Sequence, residues 1–217
     1  MVLYNFKMDI RKYFKPVVEN KFKSKIYKLD DECWIEQHSI PDPLQSMYDF
    51  DELWRLHPQE YGCVSYMGKM VKTPRWQQTY LKDYYFSGMM HKALPLPTQL
   101  QPFLEWANTI TPDVIFNQVL VNWYGNGNHY INPHTDNERQ LVKNSSILSV
   151  SLGQERIFRI RDKSTNQIVL DIPMPTNTYV MMCGTMQSRY LHEVPKVTGT
   201  KGSSMDKRIN ITFRVFK

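Results

Sequence analysis

The sequence has few cysteines, no signal-peptide core and no apolar run that approaches membrane-spanning length. Cys33, Cys63 and Cys183 are odd in number and far apart, which excludes a disulfide framework and gives no zinc-binding spacing. Such cysteine usage favours a reducing compartment. We therefore expect an intracellular protein without a membrane contact, located in either the nucleus or the cytoplasm.

Internal repeats and low-complexity tracts are also lacking, which excludes repeat architectures. The 217 residues are enough for one well-buried domain with room for an appendage. The formal net charge of +6 favours a polyanionic partner, although many soluble proteins are as basic. Composition alone neither identifies an activity nor indicates an oligomeric state.

A basic and aromatic segment precedes the acidic residues 30–32. It suits either a nucleic-acid-binding arm or a solvated surface segment whose aromatic rings pack on the domain, and both interpretations stay open. We divide the chain into residues 1–55, a basic extension with a short helix that packs on the core, and residues 56–217, the main domain. The basic residues are Lys7, Arg11, Lys12, Lys15, Lys21, Lys23, Lys25 and Lys28, and the aromatic ones are Tyr4, Phe6, Tyr13, Phe14 and Phe22.

Start signals predict two helices. Residues 42–54 should form the first, with Asp42 as the cap and Pro43 at the first helical position. The second should begin at Thr98, where Thr98 and Gln101 match a capping box. Its buried stripe is expected to comprise Leu100, Phe103, Leu104 and Ala107.

The chain is strand-rich from residue 114 onward. Short apolar or alternating runs are separated by turn signals such as residues 163–166, a pattern typical of two packed antiparallel sheets. The predicted strands are residues 114–124, 147–152, 156–161, 167–172, 178–182 and 208–216.

A candidate metal site combines residues that are distant in the sequence. His134 and Asp136 stand two residues apart, and His192 lies far downstream. Two imidazoles and one carboxylate are the ligand set of the facial triad, which holds ferrous iron and leaves the opposite positions open. A His-x-Asp pair alone is weak support, because it occurs by chance in many chains.

The last predicted strand alternates between two kinds of side chain. Its apolar face comprises Ile209, Ile211, Phe213 and Val215, and its polar face comprises Arg208, Asn210, Thr212 and Arg214. The polar face is either a solvated edge or a site whose guanidinium groups bind a small dicarboxylate. A second strand carries Asn122 and Tyr124 on one face and leads through a turn toward His134.

Five segments in this order resemble the AlkB-type nucleic-acid dealkylases, a branch of the iron(II)/2-oxoglutarate dioxygenases. They are residues 122–124, the pair His134 and Asp136, residues 149–153, residues 192–195 and residues 208–214. The resemblance covers about residue 62 to the end of the sequence. It implies a mainly β fold with flanking helices, the double-stranded β-helix or jelly roll, with iron in the mouth between the sheets.

The resemblance also implies the cofactors and their ligands. Iron(II), 2-oxoglutarate as co-substrate and dioxygen would meet at His134, Asp136 and His192, which serve as metal ligands and catalytic centre. The co-substrate would be held by Asn122, Tyr124, Arg208, Asn210, Thr212 and Arg214.

The implied reaction is oxidative removal of alkyl groups from bases such as 1-methyladenine and 3-methylcytosine, with release of formaldehyde and succinate. DNA is the favoured partner and RNA the alternative, and the target base must be single-stranded or flipped. Two rival functions use the same scaffold: a hydroxylase of a protein or small molecule, and a catalytically silent binder of modified nucleic acid.

Substrate contacts are predicted at Tyr84 and Phe86 and, further along the chain, at Glu138. Tyr84 and Phe86 share one strand face, a spacing that by itself favours the core. The resemblance assigns Phe86, before Ser87 and Gly88, as the platform under the target base opposite His134, with Tyr84 as a polar neighbour. Glu138 is either an exposed loop acid or a carboxylate that contacts the exocyclic amine of the base.

Residues 64–69 predict a hairpin with a basic flank. Tyr66 and Met67 fall where related enzymes that act on duplexes carry an apolar finger, and apolar side chains commonly intercalate between bases. The alternative is an ordinary hairpin tip. Arg75 is a candidate phosphate contact.

Overall fold

The computed structural model describes residues 24–86, 88–111 and 115–217, apart from the side chain of Tyr66. The basic segment before residue 24 and Ser87 therefore lie outside the described residues. The helices are α1 (Asp42–Met47), α2 (Phe50–Arg55), α3 (Gln101–Ile110), α4 (Met186–Arg189) and α5 (Gly199–Ser203). The strands are β1 (Lys25–Lys28), β2 (Cys33–Ser39), β3 (Cys63–Tyr66), β4 (Lys69–Lys72), β5 (Trp76–Tyr80), β6 (Tyr84–Phe86), β7 (Met89–His91), β8 (Gln118–Tyr124), β9 (Ile131–His134), β10 (Ile147–Gly153), β11 (Arg156–Asp162), β12 (Ile168–Met174), β13 (Thr178–Gly184), β14 (Tyr190–Val194) and β15 (Arg208–Arg214).

Two antiparallel sheets form the body of the protein. The major sheet has seven strands in the order β1-β2-β13-β10-β15-β8-β5, and the minor sheet has four in the order β12-β11-β14-β9. Two separate hairpins, β3-β4 and β6-β7, stand beside them. The order of the major sheet shows that residues before 56 add two strands to it, because β2 pairs with β13 along its whole length.

Apolar side chains fill the space on both faces of the major sheet. Between the sheets, Ile147 and Val180 of the major sheet join a cluster with Phe158, Ile160 and Ile172 of the minor sheet. On the other face, helix residues pack against the major sheet; they include Leu44, Leu53, Phe103, Trp106 and Ala107. The layers are therefore helices, major sheet and minor sheet, which confirms the predicted mainly β fold with flanking helices.

The first predicted helix is two helices. Asp49 interrupts the run, because its side chain accepts a hydrogen bond of 3.0 Å from the backbone N–H of Glu52 and caps α2. The prediction that Asp42 caps the first helix is wrong: the capping position is Pro41, and no side chain bonds there. No helix in the described part of the chain is both long and apolar enough to cross a bilayer.

The second predicted helix begins later than its start signal. Residues Thr98–Leu100 form a 3-10 turn, and α3 follows without a side-chain cap. The predicted capping box is absent, since the Thr98 hydroxyl donates to the neighbouring Gln99 side chain at 3.2 Å. Three residues of the expected stripe are buried, whereas Leu104 is only partly buried and Trp106 joins the stripe.

The predicted strands are present with shifted ends. β8 begins at Gln118, four residues after the predicted start, because Phe116 is drawn toward α3 by a 2.7 Å hydrogen bond from its N–H to the Asn108 side chain. The turn at residues 163–166 is confirmed between β11 and β12. Asp162 accepts hydrogen bonds from the backbone N–H groups of Ser164 and Thr165, and Asn166 adopts a positive φ of 59°.

Gly184 allows a close approach between the end of β13 and the start of β2. Its φ is 71°, and the N–H of Thr185 donates to the carbonyl of Glu32 at 3.0 Å. A Cβ atom at Gly184 would overlap that carbonyl oxygen. Gly68 has a similar φ of 72° with nothing within 4 Å of an added Cβ.

We predict that Gly184→Ala lowers the free energy of unfolding by about 2–5 kcal/mol, because backbone strain and steric overlap add. Gly68→Ala, the matched control, should cost only the strain of about 1–2 kcal/mol. Urea unfolding of both variants measures the difference. Equal losses would show that the close approach at Glu32 is unimportant.

Candidate active site

The three candidate metal ligands meet at one end of a pocket between the sheets. His134 ends β9 and lies opposite His192 in the adjacent β14, with ring centroids 4.2 Å apart. Asp136 follows two residues after β9. One possible ligand atom from each residue lies within 4.8 Å of the others, which confirms that the distant sequence positions form one cluster.

The protonation states of the cluster suit a metal ion. Burial lowers the pKa of His134, and burial together with His134 lowers the pKa of His192 to about 3. Burial alone would raise the pKa of Asp136, but Arg214 and the histidines reverse this and lower it to about 2. At neutral pH the cluster therefore offers neutral imidazoles and a carboxylate, the forms that coordinate metals.

Hydrogen bonds orient the three side chains and leave atoms free that could coordinate a metal. The Nδ1 of His134 lies 2.8 Å from the carbonyl oxygen of Asn132, so Nε2 remains available. Oδ1 of Asp136 accepts from Arg214 at 2.7 Å, whereas its Oδ2 and the Nδ1 of His192 are buried without a hydrogen-bond partner among the described residues. Unpartnered buried acceptors are costly, so the residues present fit a bound cation such as Fe(II).

All six residues predicted to hold the co-substrate line the same pocket as the cluster. The polar face of β15 is buried between the sheets, which excludes the interpretation of that face as a solvated edge. The six residues are Asn122, Tyr124, Arg208, Asn210, Thr212 and Arg214.

Arg208 is a buried cation without a carboxylate partner among the described residues. It is 2% exposed, and burial lowers its pKa. Its Nε donates to the Ser151 hydroxyl at 3.0 Å, and its guanidinium carbon lies 5.0 Å from the ring centroid of Tyr124. One terminal nitrogen, Nη1, has no hydrogen-bond partner in the part of the chain that the structure describes. A carboxylate would supply both the missing charge and the missing acceptor.

Arg214 has a different environment from Arg208 although both lie on β15. It pairs with Asp136, and this carboxylate raises its pKa despite burial. Arg214 is therefore paired with a residue of the metal-ligand cluster, whereas Arg208 has no carboxylate partner among the described residues.

Two serines support the polar face of β15. Ser151 orients Arg208, and Ser149 accepts a 2.7 Å hydrogen bond from the amide of Asn210. The hydroxyl of Thr212 in turn donates to the Asn210 side-chain oxygen at 3.1 Å. Sequence reasoning did not assign a role to either serine, although the alternation of β10 places both on one face.

Arg75 lies inside the pocket and not on the exposed flank of the hairpin, where it was expected. Its guanidinium donates to the side-chain oxygens of Asn122 at 2.7 Å and Gln77 at 3.1 Å. These bonds make Arg75 a support for Asn122, and Gln77 is a pocket residue that the sequence did not reveal. A phosphate contact by Arg75 stays a prediction.

Tyr84 and Phe86 form an aromatic wall beside the cluster. Their rings are nearly parallel, at 7°, with centroids 5.5 Å apart. Phe86 is partly exposed to the pocket, and its ring lies 6.3 Å from that of His134. Tyr84 is 3% exposed and belongs to both the core and the pocket wall.

Glu138 is buried, which excludes the interpretation of it as an exposed loop acid. Burial and then Asp136 raise its pKa to about 6. Neither carboxylate oxygen accepts a well-formed hydrogen bond from the described residues, although the Tyr84 hydroxyl lies near enough to favour the charged form. Glu138 stands beside Tyr84 and Asp136, which line the pocket, and is not itself part of the lining.

The β3-β4 hairpin presents an exposed methionine. Met67 and Gly68 have positive φ values of 48° and 72°, as the tight turn between paired strands requires, and Met67 is 85% exposed. The conformation of the Tyr66 side chain lies outside the described residues. An added Cβ at Gly88, beside β6-β7, would lie 3.2 Å from the Cβ of Ser65, so the two hairpins touch.

Comparisons with known proteins agree with this geometry. Residues 43–214 match the family model described as the 2OG-Fe(II) oxygenase superfamily. The human DNA oxidative demethylase ALKBH2 is 31% identical over 161 residues, which cover 70% of this chain and 60% of that protein. The human alpha-ketoglutarate-dependent dioxygenase alkB homolog 3 is 33% identical over 107 residues, covering 46% of this chain and 36% of that protein.

A solved structure supports the fold. The structure of OsALKBH1 superposes with a TM-score of 0.54 at 13% sequence identity, covering 88% of this chain and all of that one, and it confirms the jelly roll. This chain spans about 60% of the length of human ALKBH2. The chain belongs to the 2OG-Fe(II) oxygenase superfamily, whose co-substrates are 2-oxoglutarate and dioxygen.

Proposed function

We propose that this protein oxidatively dealkylates nucleobases such as 1-methyladenine and 3-methylcytosine in DNA, with RNA as the alternative substrate. The observation that carries the proposal is the position of Phe86, whose ring faces the pocket 6.3 Å from the His134 ring. A flat base stacked on Phe86 would bring its alkyl group next to the metal ligands. The human relative ALKBH2 is a DNA oxidative demethylase, which supports the proposed reaction.

His134, Asp136 and His192 would hold Fe(II), and Arg208 would bind a carboxylate of 2-oxoglutarate. Iron, 2-oxoglutarate and dioxygen together supply the oxidant that hydroxylates the alkyl carbon, and succinate and carbon dioxide are released. A hydroxylated methyl group would then leave as formaldehyde: the C–N bond breaks, its electron pair stays on the base nitrogen, and the hydroxyl proton is released.

In this reaction the residues of the chain hold the metal ligands and the co-substrate contacts in place, and they exclude water. Arg214 keeps Asp136 ionised, because the pair is buried and 2.7 Å apart. Ser151 fixes Arg208, and Arg75 fixes Asn122. The buried walls limit access of water to the alkyl group while it reacts. Contact of Glu138 with an exocyclic amine remains part of the proposal, and it requires the base to reach past Tyr84.

Nucleic acid is the proposed partner. The net charge is +6, and the β3-β4 hairpin exposes Lys69 and Lys72 beside Met67. A base inside a duplex cannot enter a pocket between two sheets, so the target must be single-stranded or flipped out. The described cysteines are all free, which suits the proposed reducing compartment, the nucleus or the cytoplasm.

A turnover screen tests the proposal. Matched DNA and RNA oligonucleotides with one methylated or one unmodified base are incubated with the protein, Fe(II) and 2-oxoglutarate. We expect succinate, formaldehyde and loss of the methyl mass for the methylated strands only. Succinate without base repair would favour a hydroxylase of another substrate, and binding of the methylated strand without succinate would favour a silent binder.

We predict that Phe86→Ala and Met67→Ala separate base stacking from duplex opening. Phe86→Ala should weaken activity on single-stranded and paired methylated DNA, because stacking of a base on an aromatic ring is worth about 1–3 kcal/mol. Met67→Ala should weaken only the paired reaction, since a wedge offsets part of the unstacking cost. Kinetics of both variants on the same strand, alone and annealed, give the comparison.

Each variant serves as the control for the other. Equal losses on both substrates for Met67→Ala would make the hairpin part of the general binding surface. Full activity of Phe86→Ala on both substrates would mean that Tyr84 and Phe86 serve only in the hydrophobic core, and it would contradict the proposed base platform.

A further inference from the structure

A side chain from outside the metal-ligand cluster holds the backbone of one ligand. Gln187, in α4, accepts a 2.9 Å hydrogen bond through its Oε1 from the N–H of Asp136. The other end of the same amide donates toward the sulfur of Met182 at 3.4 Å. Gln187 is partly buried, and its side chain spans the gap between α4 and the loop after β9.

The three ligands are not held equally by the sheet. His134 and His192 belong to neighbouring strands of the minor sheet and lie opposite each other. Asp136 lies beyond the end of β9, outside any ladder. Its side chain is held by Arg214, but a strand partner cannot hold its backbone, so the bond to Gln187 replaces the missing ladder contact.

Helix α4, which carries Gln187, is itself held in place by several contacts. Met186 of α4 is buried in the core between the sheets. Arg189, at the end of α4, pairs with Asp30 at 2.9 Å and with Glu32 at 3.6 Å. The N–H of Thr185, just before α4, donates to the carbonyl of Glu32 at 3.0 Å. Helix α4 also leads directly into β14, so Gln187 links the segments that carry Asp136 and His192.

We propose that Gln187 is a positioning residue for the metal site, which sets metal affinity by fixing the backbone of Asp136. With the backbone held by Gln187 and Oδ1 held by Arg214, the unpartnered Oδ2 is the oxygen left for the metal. The proposal rests on the iron site of the proposed function. Hydrogen-bond partners that orient ligands typically change metal affinity by about 10- to 100-fold when removed.

The test measures binding of Mn²⁺, a divalent probe that needs no turnover, from the electron paramagnetic resonance signal of the free ion. Gln187→Met keeps the length of the side chain but removes the acceptor, and we expect its Mn²⁺ affinity to fall about 10- to 100-fold. Gln187→Glu keeps an acceptor for the Asp136 N–H and should restore affinity close to the wild type.

Gln140→Met is the matched control. Gln140 lies on the same loop as Asp136, and its buried side-chain oxygen has no hydrogen-bond partner among the described residues. The same substitution there should leave Mn²⁺ affinity unchanged. Thermal unfolding of each metal-free variant separates loss of affinity from loss of folding.

The outcomes distinguish failure of the metal site from failure of the proposed role of Gln187. Failure of the wild type to bind Mn²⁺ would contradict the metal site and with it the proposed function. Wild-type affinity in a folded Gln187→Met variant would overturn the role of Gln187 alone. Should that variant not fold, Gln187→Ser, whose side chain is too short to reach Asp136, replaces it, and wild-type affinity there overturns the proposal in the same way.

Discussion

Replacing His134 or Asp136 with alanine should abolish the iron-dependent conversion of 2-oxoglutarate to succinate. Each substitution removes one of three donor groups whose atoms lie within 4.8 Å of one another. Even residues that only orient a metal ligand change affinity by about 10- to 100-fold, so loss of a ligand should reduce turnover by more than about 100-fold. Succinate formation with Fe(II) in excess is the measurement.

His38→Ala is a suitable control for these variants. His38 lies on β2, where its ring stacks on Tyr179 at 5.2 Å, away from the pocket lining. It should retain wild-type turnover. Wild-type rates in His134→Ala or Asp136→Ala would show that the cluster does not hold the catalytic metal.

Arg208→Ala should raise the dissociation constant of 2-oxoglutarate by roughly 10- to 150-fold. This range corresponds to about 1.5–3 kcal/mol for a hydrogen bond to a charged group. The expected loss is large because Arg208 is buried and one of its donor atoms has no partner among the described residues, so a bound carboxylate would gain charge-assisted hydrogen bonds. Calorimetric titration of the metal-loaded protein measures the change.

Arg159→Ala provides the matched comparison. Arg159 also lies on a strand, but it pairs with Asp171 through two hydrogen bonds of 2.7 and 2.8 Å at the surface of the minor sheet. Its removal should leave affinity for 2-oxoglutarate unchanged. Unaltered affinity in a folded Arg208→Ala variant would place the co-substrate elsewhere in the pocket.

The metal cluster and the arginine strand could be predicted from the sequence because their chemistry is unusual and their spacing is informative. Alternation alone grouped Arg208, Asn210, Thr212 and Arg214 on one face, but it left open whether that face was a solvated edge or a binding site for a dicarboxylate. The answer depends on the minor sheet, whose position over β15 is a long-range property that no local pattern contains.

Residues that act through another side chain escaped prediction. Ser151 and Gln187 are common residue types, and their roles come only from the atoms that the fold places beside them. The helix start was predicted wrongly for a related reason: Asp49 and Asp42 are equally good caps by type, but Asp49 occupies a capping position, whereas Asp42 is already the first residue of its helix. The burial of Glu138 likewise follows from the loop path after β9.

The pairing of β9 with β14 has a consequence for assembly of the site. His134 and His192 are direct partners in this ladder, so the strand register of the minor sheet determines how these two ligands are arranged. A slip of β14 by one residue would turn His192 out of the pocket and place Leu191 at its position, because neighbouring strand residues point to opposite faces. A chain with misregistered strands would therefore lack the metal site altogether.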